Sequence, residues 1–483
     1  MQKAILHIKD EVNVKFEGLD VTTRRKISDK LKYFVPYAYH LPAYKLGRWD
    51  GFVRFCDIGG RTSLNLIDKI LPIIEQQGFE IEIKDDRKEY KFDFEKVDAE
   101  HLSHINWPKG HTHEGQPIIL RDYQVKVIND FIANPQCLQE IATGAGKTII
   151  TATLSKMCQK YGRTIVIVPN KSLVTQTEED YINLGLDVGV YYGERKELNH
   201  KHTICTWQSL NVLHKKTKKV EADFPLDEFL DDVVCVMVDE VHMAKADVLK
   251  QLLTGPFADV PIRWGLTGTI PKEEYEKASL IASLGQVISK LSASELQNKG
   301  VLANCHVNVI QTQDHQAFRS YQEELTYLTT NTSRLQFISN LMEEIRSGGN
   351  ALILVDRIKT GELLKDLIPG SVFIQGKTKM EERQEEYDEV ATEQYKVLIA
   401  TYGVAAVGIN LPRIFNLILV EPGKSFVRVI QSIGRGIRKA KDKDHVQIWD
   451  ITSSCKFSKR HLTTRKKFYK EANYPYTINK VNI

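Results

Sequence analysis

No run in the 483 residues reaches the roughly 18 consecutive apolar side chains that a membrane-spanning helix needs. The opening residues, MQKAILHIKDEV, also lack the apolar core of a secretory signal, so the protein is expected to stay in the cytoplasm where it is made. Seven cysteines, at positions 56, 137, 158, 205, 235, 305 and 455, never fall in a Cys-x-x-Cys spacing. A zinc ribbon and a disulfide framework are therefore not expected, and reduced thiols are. Charge of one sign is scarce too: the formal net charge is only +4, so a nucleic-acid partner has to be sought in local clusters rather than in the total. Hydrophobic residues at 42 % and charged residues at 27 % exclude a disordered or collagen-like chain.

Length allows two large domains and something smaller. Residues 1–95 alternate strand-like runs (4–8, 12–16, 52–55) with helix-like segments at 23–34 and 64–77, which reads as a small α+β domain. A charged stretch and the segment HINWPKGHTHEGQP follow, and 96–117 reads as a linker. Its histidines, His101, His104, His111 and His113, have no cysteine or carboxylate at ligand spacing, and no metal site is expected there. From residue 118 onward, apolar runs at 164–168, 233–238, 263–267, 351–355, 397–400, 416–420 and 446–451 are separated by helix-length intervals. Continuous Val, Ile and Leu runs of this kind indicate parallel strands covered on both faces. The alternation occurs twice, predicting tandem α/β domains at 118–295 and 296–455, followed by a basic C-terminal tail at 456–483. Two basic clusters stand out: His214-Lys-Lys-Thr-Lys-Lys219, and the stretch 456–470, which has no acidic residue.

Chemistry is concentrated in a few short segments. IATGAGKT, 141–148, is a glycine-rich turn before a helix-like stretch at 149–159, although Ile141 stands where a glycine usually begins such loops. Backbone amides of Thr143, Gly144, Ala145 and Gly146 and the helix N-terminus would surround phosphate oxygens, Lys147 would neutralise the β and γ phosphates, and Thr148 would hold magnesium. VVCVMVDEVH, 233–242, is a buried strand that delivers two carboxylates at its C-terminal end, where ligands of open α/β sheets gather. There Asp239 would bind magnesium and Glu240 would orient and deprotonate the attacking water. QSIGRGIRK, 431–439, places Arg435 and Arg438 one helical turn apart, as a γ-phosphate clamp offered from a neighbouring domain requires. Together they describe ATP hydrolysis coupled to domain motion.

ILRDYQ, IATGAGKT, IVIVPNKSLVTQ, TWQSL, DEVH, GLTGT, ATYGVAAVGINLP and QSIGRGIRK occur in the order of the superfamily 2 helicase motifs, over roughly residues 118–440. The resemblance implies two tandem RecA-like domains, with ATP and Mg2+ as cofactors. It further implies that Gln124 reads the adenine and that Gly408 and Asn410 sit at the second domain's nucleotide face. His242, Thr267, Thr269 and Gln431 would couple hydrolysis to the track. Pro169, Asn170, Thr206, Gln208 and Thr401 would contact nucleic-acid phosphates without reading bases, so binding should be independent of sequence and sensitive to salt.

One segment lies ahead of all these motifs. KLGRWDGFVRF, 45–55, reads as a two-residue hairpin turned at Asp50-Gly51. Its Trp49 either fills the core of a small domain or lies with Phe52 and Arg54 on an aromatic and basic face for nucleic acid, and Lys45, Arg48 and Arg54 are the candidate DNA contacts. The Gly-x-Trp-Asp-Gly pattern ahead of a DExH motor resembles the phage UvsW-type recombination helicases. This resemblance implies a DNA-binding N-terminal domain and a motor for forks, Holliday junctions and R-loops, working as a monomer or weak oligomer beside recombination or replication proteins in the host cytoplasm. The rival readings are an RNA helicase, the motor portion of a restriction system, and a nucleic-acid binding or annealing protein whose ATP site only switches affinity. Arg438→Ala should retain ATP binding and nearly abolish turnover in a steady-state ATPase assay; normal hydrolysis would remove Arg438 from the clamp.

Overall fold

The computed structural model describes residues 2–109, 111, 113–219, 221, 224–241, 246–405, 411, 413–425, 429, 432–434 and 436–483. Their contacts divide the chain into two units, residues 1–140 with 146–290, and 141–145 with 291–483.

In the first unit the N-terminal strands Gln2–Ile8, Asn13–Glu17, Arg61–Ser63 and Phe79–Asp85 form a four-stranded mixed sheet. Alternate residues Ala4, Leu6 and Ile8 are buried, so one face is core and the other wet. Helix Val21–Lys30 starts where the Asp20 carboxylate accepts from the Thr23 amide at 2.9 Å.

The hairpin expected at Asp50-Gly51 does not form. Strand Phe52–Arg54 pairs antiparallel with Lys32–Phe34, and Pro42–Lys45 is a single helical turn. A type I′ turn needs positive φ at both central residues; here Gly47 (φ +67°) and Gly51 (φ +80°) are left-handed, and Asp50 is not. Asp50 instead accepts from the Phe52 amide at 3.0 Å and pairs with Arg54 at 2.7 Å. Trp49 is half-buried against the core, its Nε1 donating to the Phe52 carbonyl at 2.9 Å.

The larger sheet of this unit has eight strands in the order Arg195–Lys196, Val188–Tyr192, His202–Thr206, Arg163–Val168, Val233–Asp239, Ile262–Thr267, Gln136–Ile141, Gln286–Leu291. Pairing is parallel from Val188–Tyr192 through to Gln136–Ile141. The N-terminal sheet and this sheet's helices share one apolar cluster. Polar ties reinforce it: the Glu11 amide donates to Ala258 O at 3.0 Å, and Asn13 Nδ2 to Thr254 O at 2.8 Å. Arg263, fully buried, gives its guanidinium to the carbonyls of Leu253, Phe257, Val260 and Ser283. The stretch read as a linker is bound in place as well. Val97 exchanges two 2.9 Å hydrogen bonds with Asn129, and just ahead of that stretch Phe92 and Phe94 pack edge-on against Tyr161.

The second unit is built on a seven-stranded, wholly parallel sheet in the order Ser371–Ile374, Val397–Thr401, Ala351–Val355, Asn416–Val420, His445–Ser453, Asn304–Thr312, Tyr476–Val481. The two parallel sheets are the RecA-like pair, preceded by the small α+β region.

What was read as a basic tail is part of this unit. Residues Lys456–Glu471 form a helix, and Tyr476–Val481 closes the sheet edge beside Asn304–Thr312. Arg465, one of the cations of the basic stretch, is fully buried and clasps Asp450 with two bonds at 2.8 and 2.9 Å, while Tyr469 donates to the same carboxylate at 2.7 Å. Glu324 accepts from the Phe457 and Ser458 amides at 3.0 and 2.6 Å, satisfying the helix N-terminus. Arg465→Met would leave Asp450 buried without its cation, a loss of about 3–5 kcal/mol. Urea unfolding should register it, and a change below about 1 kcal/mol would show that the clasp is not what holds this helix.

Candidate nucleotide site

Strand Gln136–Ile141 runs into the glycine loop, and helix Lys147–Cys158 begins directly after it. Gly144 (φ +90°) and Gly146 (φ +80°) hold left-handed backbone. A Cβ built on Gly146 would come 2.6 Å from Nε2 of Gln124, so the close approach of that side chain to the loop requires glycine there. Gln124 is buried in the first turn of helix Asp122–Ile132, its Oε1 accepting from the Arg121 amide at 2.9 Å.

Strand Val233–Asp239 is buried up to its last residue and brings Asp239 and Glu240 to its carboxyl end. The backbone turns sharply at Glu240, whose φ of +50° is uncommon for a residue with a side chain, and the Asp239 carboxylate accepts from the Glu240 amide at 2.8 Å. Glu240 is 7 % exposed. Its Oε1 accepts from Lys147 Nζ at 2.6 Å, and its Oε2 from the Gly268 amide at 3.2 Å. The flanking Thr267 and Thr269 are buried, and the Thr267 hydroxyl donates to Thr269 O at 2.9 Å while accepting from Thr269 N at 3.3 Å. Three separate motifs, the glycine loop, DEVH and GLTGT, thus meet on one carboxylate.

Sequence reasoning missed Asp180. Burial, followed by the neighbouring Glu179 charge, pushes its carboxyl up to about 6, and a hydrogen bond from the Thr148 side chain opposes the rise. Asp180 lies within helix Lys171–Asn183, in a run (TEED) where acidic residues look like a solvated face, so only the fold reveals it.

The expected track residues gather at the carboxyl ends of adjacent parallel strands, where Thr206 pairs with Val168. Asn170 caps helix Lys171–Asn183 by accepting from the Leu173 amide at 3.1 Å, and Thr206 caps helix Trp207–Lys218 by accepting from the Ser209 amide at 3.3 Å. Gln208 Nε2 donates to Pro169 O at 3.1 Å, tying the two turns together. Two helix N-termini side by side suit anionic oxygens. In the second unit Thr401 ends its strand, and Arg438 is half-buried with its carbonyl accepting from Lys443 Nζ at 2.7 Å. Burial, then the Arg438 charge, lowers Lys443 to about 7. His242, Gly408, Asn410, Gln431 and Arg435 lie outside the described residues. Lys45 and Arg48 are exposed, and Arg54 is held by Asp50.

Residues 117–272 match the family model described as the res subunit of type III restriction enzymes, and residues 333–440 match the helicase conserved C-terminal domain; the two cover more than half of the chain. The chain belongs to the superfamily 2 helicases. Among similar proteins, the ATP-dependent DNA helicase uvsW of Enterobacteria phage T4 is 23 % identical over 455 residues, which covers 90 % of this chain and 87 % of that one. The DNA 3'-5' helicase XPB of Kineococcus radiotolerans is 24 % identical over 376 residues, 74 % of this helicase and 64 % of that protein, so the chain spans just under two thirds of that relative. In solved structures, the ATP-dependent type ISP restriction-modification enzyme LlaBIII bound to DNA aligns with a TM-score of 0.56 at 14 % identity, over 78 % of this helicase and 32 % of that chain, a likeness of fold. Among the described residues no helix is long and apolar enough to cross a membrane.

Membership in this family implies ATP use, and the residues present fit it. The left-handed glycine turn at the helix start, the ammonium of Lys147 and the carboxylates of Asp239 and Glu240 are the donor set that a magnesium-bound triphosphate requires. Left-handed backbone costs a residue with a Cβ about 1–2 kcal/mol, so Gly146→Ala should weaken ATP binding about tenfold in a fluorescence titration, and unchanged affinity would show that the loop does not hold the nucleotide. Glu240→Gln should keep ATP binding while steady-state turnover falls to background; normal turnover would remove Glu240 from water activation.

Proposed function

We propose that this helicase is an ATP-dependent motor on DNA that unwinds or branch-migrates forks, Holliday junctions and R-loops in recombination, replication and repair. The observation that carries the ATPase half is the shared carboxylate: Glu240 holds Lys147 on one oxygen and the Gly268 amide on the other. ATP with magnesium supplies the phosphoanhydride bond to be cleaved. Lys147 would turn from Glu240 to the β and γ phosphates, and Thr148 and Asp239 would hold the metal. Glu240, released on one side, would take a proton from the attacking water. Because Glu240 Oε2 stays on Gly268, that change reaches Thr267 and Thr269, the proposed couplers. Arg435 and Arg438 keep the proposed role of clamping the γ phosphate.

DNA as the track is supported by the names of the relatives, DNA helicases in both cases. The branched substrate rests on the resemblance of the Gly-x-Trp-Asp-Gly pattern ahead of the motor to the UvsW-type helicases. Contacts through helix N-termini at Asn170 and Thr206 would bind backbone rather than bases, so no sequence preference is expected.

The test is steady-state ATPase with no nucleic acid, single-stranded DNA, duplex DNA, a four-way DNA junction and matched RNA. Strongest stimulation by junction or duplex DNA is expected. Stimulation by RNA alone would replace the DNA motor with an RNA helicase, and ATP-dependent binding with no stimulated turnover would replace the motor with a switch.

A further inference from the structure

The two basic clusters singled out in the sequence meet different fates in the fold. Lys215, Lys216, Lys218 and Lys219 close the C-terminal end of helix Trp207–Lys218, where cations are favoured by the partial negative charge of the helix end. That cluster is explained by helix stability. Lys456, Lys459 and Arg460 occupy the first turns of helix Lys456–Glu471, the end that carries partial positive charge, and so run against what helix stability favours.

The remaining charges of that helix follow one stripe. Lys456, Lys459, Arg460, Lys467 and Lys470 recur at spacings of three, four and seven residues and are all exposed, while Ser458, Leu462, Arg465, Phe468 and Tyr469 are buried beneath them. Among the described residues none of these five exposed cations forms an ion pair. At its N-terminal end the stripe meets half-exposed rings: Tyr321 packs edge-on to His461 with centroids 4.8 Å apart, and Phe457 lies 6.2 Å from Tyr321 under the Lys456 ammonium. Burial, then the charges of Arg465, Lys424 and Arg460, lowers His461 to about 4, which brings Lys424 into the same positive field. The helix is anchored rigidly by the Glu324 cap, the Arg465–Asp450 clasp and the edge strand Tyr476–Val481 that follows it.

We propose that the exposed face of helix Lys456–Glu471 is a DNA-backbone contact outside the helicase motifs, holding duplex phosphates with Lys456, Lys459, Arg460, Lys467 and Lys470. An unpaired cationic stripe, interleaved at one end with rings and fixed on a buried base, is complementary to a polyanion. A helix of 16 residues is about 24 Å long, roughly two thirds of a duplex turn. The inference rests on DNA being the track.

Binding of the full chain to a fluorescent 30-mer duplex, and to single-stranded DNA of the same length, is measured from low to moderate salt. Three proteins are compared: wild type, Lys459→Glu/Arg460→Glu/Lys467→Glu, and a control with the same charge change elsewhere, Lys215→Glu/Lys216→Glu/Lys218→Glu. The first variant should bind duplex at least about tenfold more weakly, with a salt slope shallower by about 2–3, while the control keeps the wild-type slope. Lys459→Gln/Arg460→Gln/Lys467→Gln, which adds no acidic residue, should show the same shallower slope, so misfolding of the reversed variant cannot mimic the result. Wild-type affinity and slope in the neutral variant, an equal loss in the control, or a loss confined to single strands would each overturn the duplex contact. A wild-type protein that binds no DNA and is not stimulated by it would instead overturn the DNA motor itself.

Discussion

A lysine and a glutamate from distant parts of the chain, each with about a tenth of its side chain exposed, face one another 2.6 Å apart at the carboxyl end of the first parallel sheet. Neither charge can be stranded there without a desolvation cost of several kcal/mol, so whatever displaces one must satisfy the other. Phosphate oxygens can take Lys147. Water can be held by the oxygen of Glu240 that Lys147 gives up. The pair thereby makes the rest position of the site depend on nucleotide, and the second oxygen of Glu240, on the Gly268 amide, ties that dependence to the next strand end. Geometry follows from the same constraint: the two groups meet through a strained left-handed turn at Glu240 and through loop glycines that take left-handed backbone without cost.

Buried charge organises the second unit too. Arg334 and Glu421 meet at 2.5 Å, Ser458 donates to the other oxygen of Glu421 at 2.6 Å, and Arg465 clasps Asp450, so the C-terminal helix is registered by ionic contacts that tolerate no slippage. In the first unit Arg263 does comparable work through carbonyls alone. Because removing one partner of such a set is costly while the intact set is near neutral, these contacts specify position more than they add stability. A helix held this way can present cations to a polyanion without yielding when the polyanion pulls.

Much of this architecture was legible in the residues. Strands buried on both faces read as unbroken Val, Ile and Leu runs, and Ala351–Val355 and Asn416–Val420 fall where those runs fall. The loop and the paired carboxylates were legible because their chemistry needs fixed local spacing. What stayed hidden depends on partners distant in sequence. Phe52–Arg54 pairs with Lys32–Phe34 across an intervening turn of helix, so Asp50-Gly51 carries a turn signal without being the hairpin turn. Arg465 reads as one more solvated cation until Asp450 appears beside it, and Asp180 reads as one more acid on an amphipathic helix until Thr148 does. Periodicity reports which face is apolar; it does not report which charge is buried with a partner.

The most direct test is a structure of the full chain with magnesium and a non-hydrolysable ATP analogue. Lys147 Nζ is expected to leave Glu240 for the β and γ phosphate oxygens while Glu240 Oε2 remains on the Gly268 amide and Oε1 faces a water. A nucleotide bound with the Lys147–Glu240 contact intact, or with Gly268 released, would contradict the shared carboxylate as the link between ATP and motion.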